Sequence, residues 1–216
     1  MGIPFRHTSY RCPDCGRAAD EYGVHAVTCL RSGAIGRGHT LLRDTLGTLL
    51  LQAGIPAVWE PRLSPGSATF TEQGRRPGDL LFPWSGKALA MDCTLITTVR
   101  QSAQGSQGPM MDQAAATKLK ENATLCQAAG RQGLPFVGNT FGALHSTARE
   151  FLSCFIARKA SSLGEQPPAR IGKMVWSAVT AAAVARAACQ IYRHALIDQP
   201  LVHGPAFLIW RHPDSP

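Results

Sequence analysis

Apolar residues fall in blocks along the chain, some at helical spacing and some at strand spacing. From about His39 to Ala53, Leu42, Leu46, Leu49 and Ala53 mark one helical stripe, and Gly54 stands where a helix end is capped. Gly33 to Gly38, just before it, reads as a hinge. Ile55 to Glu60 (IPAVWE) predicts a short strand closed by Pro61. Residues 62–78 are rich in Gly and Pro and predict turns, with a brief strand near Phe70. Asp79 to Phe82 predicts a strand, Pro83 to Lys87 a turn, and Ala88 to Thr98 the clearest strand of the chain. A polar loop over 101–113 leads into a helix from about Ala114 to Ala129, ended by Gly130. Leu134 to Val137 is a further short strand. Helices over about His145 to Ala160 and Lys173 to Leu196 follow, joined by a loop over Ser161 to Arg170. The closing AFLIW adds an edge strand or packs on the body. This order predicts an α/β (α+β) domain with a mixed sheet flanked by helices.

Ahead of that domain the pattern is set by ligands rather than by apolar residues. Cys12, Cys15, His25 and Cys29 read C-x2-C-x9-H-x3-C within eighteen residues. Such a set suits one tetrahedral zinc ion, with Pro13 and Gly16 shaping a tight turn around the cysteine pair. His25 and Cys29, four apart, meet on one face of a helical turn. Four protein ligands make a closed, structural site. A CxxC pair also suits redox chemistry, but the four clustered ligands favour zinc. The expected organisation is a zinc-binding segment over 1–35 and a larger domain over 36–216.

Composition narrows the function classes. Apolar residues make up 44% of the chain, enough for a packed core and too many for a disordered protein. Seven cysteines is an odd number, and Cys93, Cys126, Cys154 and Cys189 lie in apolar or helical settings. That usage suits reduced thiols in the nucleus or cytoplasm better than a secreted disulfide framework. The opening residues lack the apolar stretch of a signal peptide, and no membrane partner is expected. Twenty-two Lys and Arg against fourteen Asp and Glu give a net charge of +8. This is the profile of a phosphate-backbone binder, although a merely soluble basic protein shares it.

The sharpest chemical constellation lies in residues 75–98. Ala90, Asp92, Thr94 and Ile96 share one strand face, and Leu89, Met91, Cys93 and Leu95 the other. Asp92 is the one charge in ten residues of apolar strand, and a carboxylate there needs a partner or a metal. Asp79 opens the preceding strand. If the two strands pair as a hairpin, both carboxylates converge at one end of the sheet as hard oxygen donors for Mg²⁺. The plainer alternatives are a turn aspartate after Pro-Gly for Asp79, and a core carboxylate or a partner of Arg75 or Arg76 for Asp92.

The run Pro77-Gly78-Asp79, the strand bearing Asp92-Cys93-Thr94, and the helix with AAATKLKENA resemble the PD-(D/E)XK restriction-endonuclease-like superfamily. More narrowly, they resemble the endonuclease domain at the C-terminal end of the reverse-transcriptase polyprotein in site-specific non-LTR retrotransposons. That domain carries a CCHC zinc segment upstream, then a His-containing helix, a strand and a Thr-Phe-Gly stretch, here Asn139 to Gly142. The resemblance spans roughly residues 10–195.

It implies a restriction-endonuclease-like mixed sheet with a small N-terminal zinc module. Asp79 would be the first metal carboxylate, with Gly78 inserted where the family has Pro and Asp adjacent, and Asp92 the second. Thr94 stands where the superfamily often has its lysine. The retroelement branch carries that lysine on the next helix, where Lys118 fits and Lys120 is the fallback. Glu60 would add a further carboxylate. Arg37, His39, Arg43, Arg75 and Arg76 are the candidate DNA contacts.

The implied activity is Mg²⁺- or Mn²⁺-dependent hydrolysis of DNA phosphodiesters, nicking a target for retrotransposon integration. The implied partners are DNA, with RNA and a reverse-transcriptase module of the same element alongside. The alternative is a zinc-containing nucleic-acid-binding module, derived from a retroelement, whose nuclease fold has lost activity. Thr94, and Asn139 at a position where the family often has an acid, both favour that alternative. A zinc-stabilised protein-interaction domain is a third reading, in which the basic charge is incidental.

Overall fold

The hairpin over residues 80–96, whose two faces are buried to different degrees, organises the molecule. The computed structural model describes residues 10–20, 22–29, 31, 34–62, 76–97, 107–164 and 168–195. The expected strand near Phe70, the candidate contact Arg75 and the C-terminal AFLIW lie outside the described residues.

Strands β1 (Tyr10–Arg11) and β2 (Ala18–Ala19) form a small antiparallel pair, followed by the short helix α1 (Val24–Thr28). Helix α2 (Ala34–Gln52) leads to β3 (Val58–Trp59), β4 (Leu80–Trp84) and β5 (Lys87–Ile96). Helix α3 (Gln107–Ala128) crosses to β6 (Gln132–Asn139), and α4 (Ser146–Leu163) and α5 (Ala169–Ala195) complete the order. The main sheet runs β3-β4-β5-β6, antiparallel except for the parallel pair β5 and β6. A parallel pair needs a crossover, and α3 is that crossover. The predicted mixed α/β architecture, with helices flanking a mixed sheet, is therefore present.

The two faces of β5 separate as the alternation requires. Leu89, Met91 and Cys93 point into the main core, where they meet Leu42, Leu46 and Leu50 of α2 and Phe151, Leu152 and Phe155 of α4. Phe82, Trp84, Phe136 and Phe151 form a cluster of edge-on and tilted aromatic rings there. Truncating a core aromatic such as Phe151 to Ala costs about 3–5 kcal/mol. On the other face, which carries Asp92, Thr94 and Ile96, the covering element among the described residues is α3. Met111 and Ala115 pack there on Val137 and Ile96 as a second, smaller core. A sheet face covered by a single helix leaves an open end, and the candidate site sits at that end.

Several boundaries differ from expectation for local reasons. The expected hinge at Gly33–Gly38 is helical from Ala34 onward, and Gly38 within it serves close packing, since a Cβ there would stand 2.8 Å from Arg186 Cδ. The expected loop 101–113 is already helix from Gln107, since Pro109 falls in the first turn, where its missing N–H costs nothing. The strand expected at 55–60 pairs only over Val58–Trp59, as Pro56 cannot donate to a ladder. The turn expected at 83–87 shrinks to two residues. Trp84 pairs with Lys87, and Ser85 (φ 48°) and Gly86 (φ 77°) take the left-handed conformations of a primed hairpin turn.

Helix α5 is long and apolar enough to cross a membrane on length and composition. In this fold its apolar side, including Val175, Val179 and Ala183, is buried in the core. Trp59 and Trp84 both pack against that core, the second beneath the Arg158 guanidinium.

Candidate functional site: a zinc cluster and a carboxylate cleft

The N-terminal ligands converge as their spacing predicts. One ligand atom from each of Cys12, Cys15, His25 and Cys29 lies within 4.8 Å of the others. The Cys12 and Cys29 sulfurs are 3.7 Å apart, and Cys15 Sγ is 3.2 Å from His25 Nε2. Two thiolates on a tetrahedral zinc at ~2.3 Å stand about 3.8 Å apart, so the sulfur pair is already at coordination distance. The four residues form a set that can hold zinc. Burial pushes the Cys12 thiol up to about 11, while the Arg17 backbone N–H draws Cys15 below its ordinary value. Only a bound cation favours the thiolate at both.

Asp20, which the ligand spacing did not single out, builds the histidine's platform. Its carboxylate accepts the backbone N–H groups of Tyr22, Val24 and His25, at 3.0, 3.0 and 2.7 Å. Burial alone would raise Asp20, but these donors hold it below the usual carboxylate range. An Asp just ahead of a helix is the signal that identifies such a cap in sequence.

The zinc segment docks on the end of α5. Arg193 Nη1 pairs with Asp14, between the first two cysteines, at 2.8 Å. The fully buried His194 meets the Tyr10 hydroxyl at 2.6 Å, and Arg186 Nη2 donates to the Val27 carbonyl at 2.9 Å.

The second cluster lies in a cleft of about 530 Å³ at the open end of the sheet. Its walls are α2, through His39, and α3, through Lys118 and Asn122; Asp79, Asp92 and Thr94 form the floor. Register explains the convergence. Leu80 pairs with Met91, so Asp79 and Asp92 are the next neighbours across the hairpin. Gly78 is required beside them, because a Cβ there would stand 2.7 Å from the Met91 carbonyl oxygen. Gly78 thus follows from the close approach of the two strands.

Each carboxylate is held through one oxygen only. Asp79 Oδ2 accepts from Cys93 N at 2.8 Å and pairs with His39 Nε2 at 2.9 Å. Asp92 Oδ2 accepts from Asn122 Nδ2 at 2.5 Å and faces Lys118 Nζ at 3.5 Å. Among the described residues, no hydrogen bond or ion pair falls on either Oδ1.

The two acids are poised differently. Burial would raise Asp79, but the His39 hydrogen bond and charge outweigh it and hold the acid low. The same bond raises His39. Burial raises Asp92, the neighbouring Asp79 adds to this, and Lys118 only partly offsets it. Lys118 itself is held above its ordinary value, because Asp92 and Glu121 outweigh its burial.

The remaining candidates are distributed as follows. Glu60 is outside the cleft, bridging Arg43 at 2.5 Å and Arg76 at 2.6 Å, so its carboxylate is committed to two arginines. Arg43 is thereby tied to Glu60 and Asp44, while Arg76 also borders the cleft. Lys120 points to solvent on α3, away from the cleft. Arg37 is exposed on α2 and lines a different groove. Asn139 is fully buried and spends its side-chain oxygen on the N–H groups of Phe141 and Ala143, shaping the turn after β6. Asn122 was not anticipated, yet it lies four residues after Lys118, on the same helical face. Compared with known proteins, the chain matches no protein-family model and no curated protein.

Proposed function

We propose that the chain is a metal-dependent DNA endonuclease of the restriction-endonuclease-like type, hydrolysing phosphodiester bonds with Mg²⁺ or Mn²⁺. Its setting would be the nicking of target DNA for retroelement insertion. One observation carries the reading. Two acids, neighbours across a hairpin, present unengaged Oδ1 atoms to one cleft, with a lysine from the crossover helix against the second.

The donor set fits a hard divalent cation. Asp79 and Asp92 supply oxygen ligands of the kind such ions take, and a bound cation would offset the burial and the neighbouring Asp79 charge that raise Asp92. When bound, the ion supplies Lewis-acid polarisation of the phosphate and lowers the pKa of a water. The side chains do the rest. His39 and Cys93 N fix the Asp79 carboxylate through Oδ2 and leave the other oxygen for the cleft. Asn122 does the same for Asp92. Lys118 places its ammonium at the rim, where negative charge grows on a phosphate under attack. Arg76 borders the same cleft and is placed to hold the strand by its backbone.

The test is relaxation of supercoiled plasmid with Mg²⁺ or Mn²⁺ by the zinc-loaded chain, beside Asp79→Ala and Asp92→Ala. Nicking by the wild type alone is expected. A folded, DNA-binding chain that leaves the plasmid supercoiled sinks the catalytic reading. It would favour instead a binding module that has lost activity, a reading supported by Thr94 in the cleft and by Asn139 serving a turn.

A further inference from the structure

Away from the cleft, α2 and the C-terminal half of α5 enclose a groove of about 250 Å³. Its residues include Arg37, Arg186 and Arg193, with Leu41, Ala185 and Cys189 as apolar walls and no acidic side chain. Arg186 is 6% exposed. Its one hydrogen bond runs from Nη2 to the Val27 carbonyl, Nε makes none, and no ion pair to it occurs among the described residues. Burial alone acts on its ionisation, pulling it down. A buried guanidinium without a counter-charge is costly, and a bound anion removes that cost.

The groove is also built to hold this side chain. A Cβ on Gly38 would stand 2.8 Å from Arg186 Cδ, so only glycine lets the arginine lie across α2. Gln190, one helical turn after Arg186, is buried with its carbonyl oxygen unpaired, and a flip about its last torsion offers the N–H₂ instead.

We propose that this groove is a second phosphate-binding site, anchored by Arg186, that takes the DNA backbone outside the cleft. The owner of the phosphate rests on the DNA reading above; the anion site rests on the groove itself. Continuity through α2 joins the two. Gly36 and His39 line the cleft, and Arg37, Gly38 and Leu41 line the groove, on opposite flanks of one helix ~10 Å across. A polyanion leaving the cleft over α2 would reach Arg186 across Gly38, while Arg193 beside it is already paired with Asp14.

Cys189 in the groove and Cys154 on α4 are both exposed free thiols, so the chain carries its own probe and control. The experiment measures labelling by an uncharged maleimide on the zinc-loaded chain, without added divalent cation, with and without duplex DNA. Duplex DNA should slow Cys189 about tenfold at low salt and leave Cys154 unchanged, with protection lost as salt rises.

Arg186 also holds Val27, so replacing it risks the fold. Ala185→Glu instead sets a carboxylate beside the guanidinium while leaving that bond in place. It should weaken DNA binding and reduce the salt slope by about 1, with no loss of melting temperature. Unchanged Cys189 labelling in the DNA complex overturns the proposal, as does wild-type affinity in Ala185→Glu. Protection by single-stranded RNA but not by duplex DNA overturns the DNA assignment. Nicking without Cys189 protection removes the groove and keeps the nuclease; protection without nicking does the reverse.

Discussion

The zinc cluster and the carboxylate cleft are assembled in opposite ways. All four zinc ligands come from residues 12–29, and local turns bring them together. The cleft draws on α2, the segment leading into β4, strand β5 and helix α3, from Gly36 to Asn122, and no local segment contains it. With zinc on those four ligands, the first would depend on its ion for its shape, since so short a stretch buries little apolar surface. The second depends on strand register and on the packing of two helices, and its acids are in place before any ion binds. The first would thus be a fold conditional on metal, while the cleft rests on the packed sheet and helices of the core.

The largest expected effect breaks the first region and spares the second. Stripping zinc with a chelator, or Cys12→Ser, removes a binding energy of about 10–16 kcal/mol that structural zinc lends such segments. Hydrogen exchange should show residues 10–29 opening, while the amides of Leu80 and Met91 stay protected. Loss of protection in both regions would mean that the docking on α5 makes them one cooperative unit.

A smaller effect tests preorganisation directly. His39→Ala removes the group that fixes Asp79 Oδ2. Loss of such an outer partner costs roughly 10–100-fold in metal affinity or activity. Nicking should fall at limiting Mg²⁺ and recover at saturating Mg²⁺. A drop that excess ion does not restore assigns His39 a role other than positioning.

Register is probed by Gly78→Ala. The added Cβ meets the Met91 carbonyl, which is backbone and cannot turn away. Overpacking of this kind costs about 1–3 kcal/mol. Denaturant unfolding should show that loss together with reduced nicking, because the shift moves Asp79 itself. An unaffected variant would show that the strands relax without moving the acid.

The smallest effect concerns Asp92. Its pKa is raised, so its contribution to stability is present below the ordinary carboxylate value of about 3.9 and is lost as pH rises through the folded value. At neutral pH without divalent cation, Asp92→Asn should melt slightly higher than wild type, and the gain should vanish in acid. Added Mg²⁺ should stabilise the wild type alone. Equal melting across pH would mean that Lys118 and Asn122 fully compensate the buried charge.

Legibility followed the same division. The zinc ligands were readable because chain spacing alone carries the geometry. The β4–β5 hairpin was readable because alternation in Leu89 to Ile96 assigns each side chain its face, which placed Asp92 and Thr94 together. Glu60 read as a spare metal carboxylate, yet Arg43, seventeen residues earlier, and Arg76, sixteen later, claim it. Gly38 read as part of a hinge, since a glycine needed for close packing looks, in sequence, like one needed for flexibility.

The sequence by itself determined the clustered Cys and His set, the hairpin faces, the order of the helices and strands from α2 to α5 and the basic surplus, all of which depend on neighbours in the chain. Tertiary structure alone decided that His39 holds Asp79 and that Arg186 lies buried without a counter-charge against Gly38. It also seated the zinc segment on Arg193 and His194. Those pairings join residues tens to nearly two hundred positions apart, and their energies depend on burial and distance, which spacing along a chain does not encode.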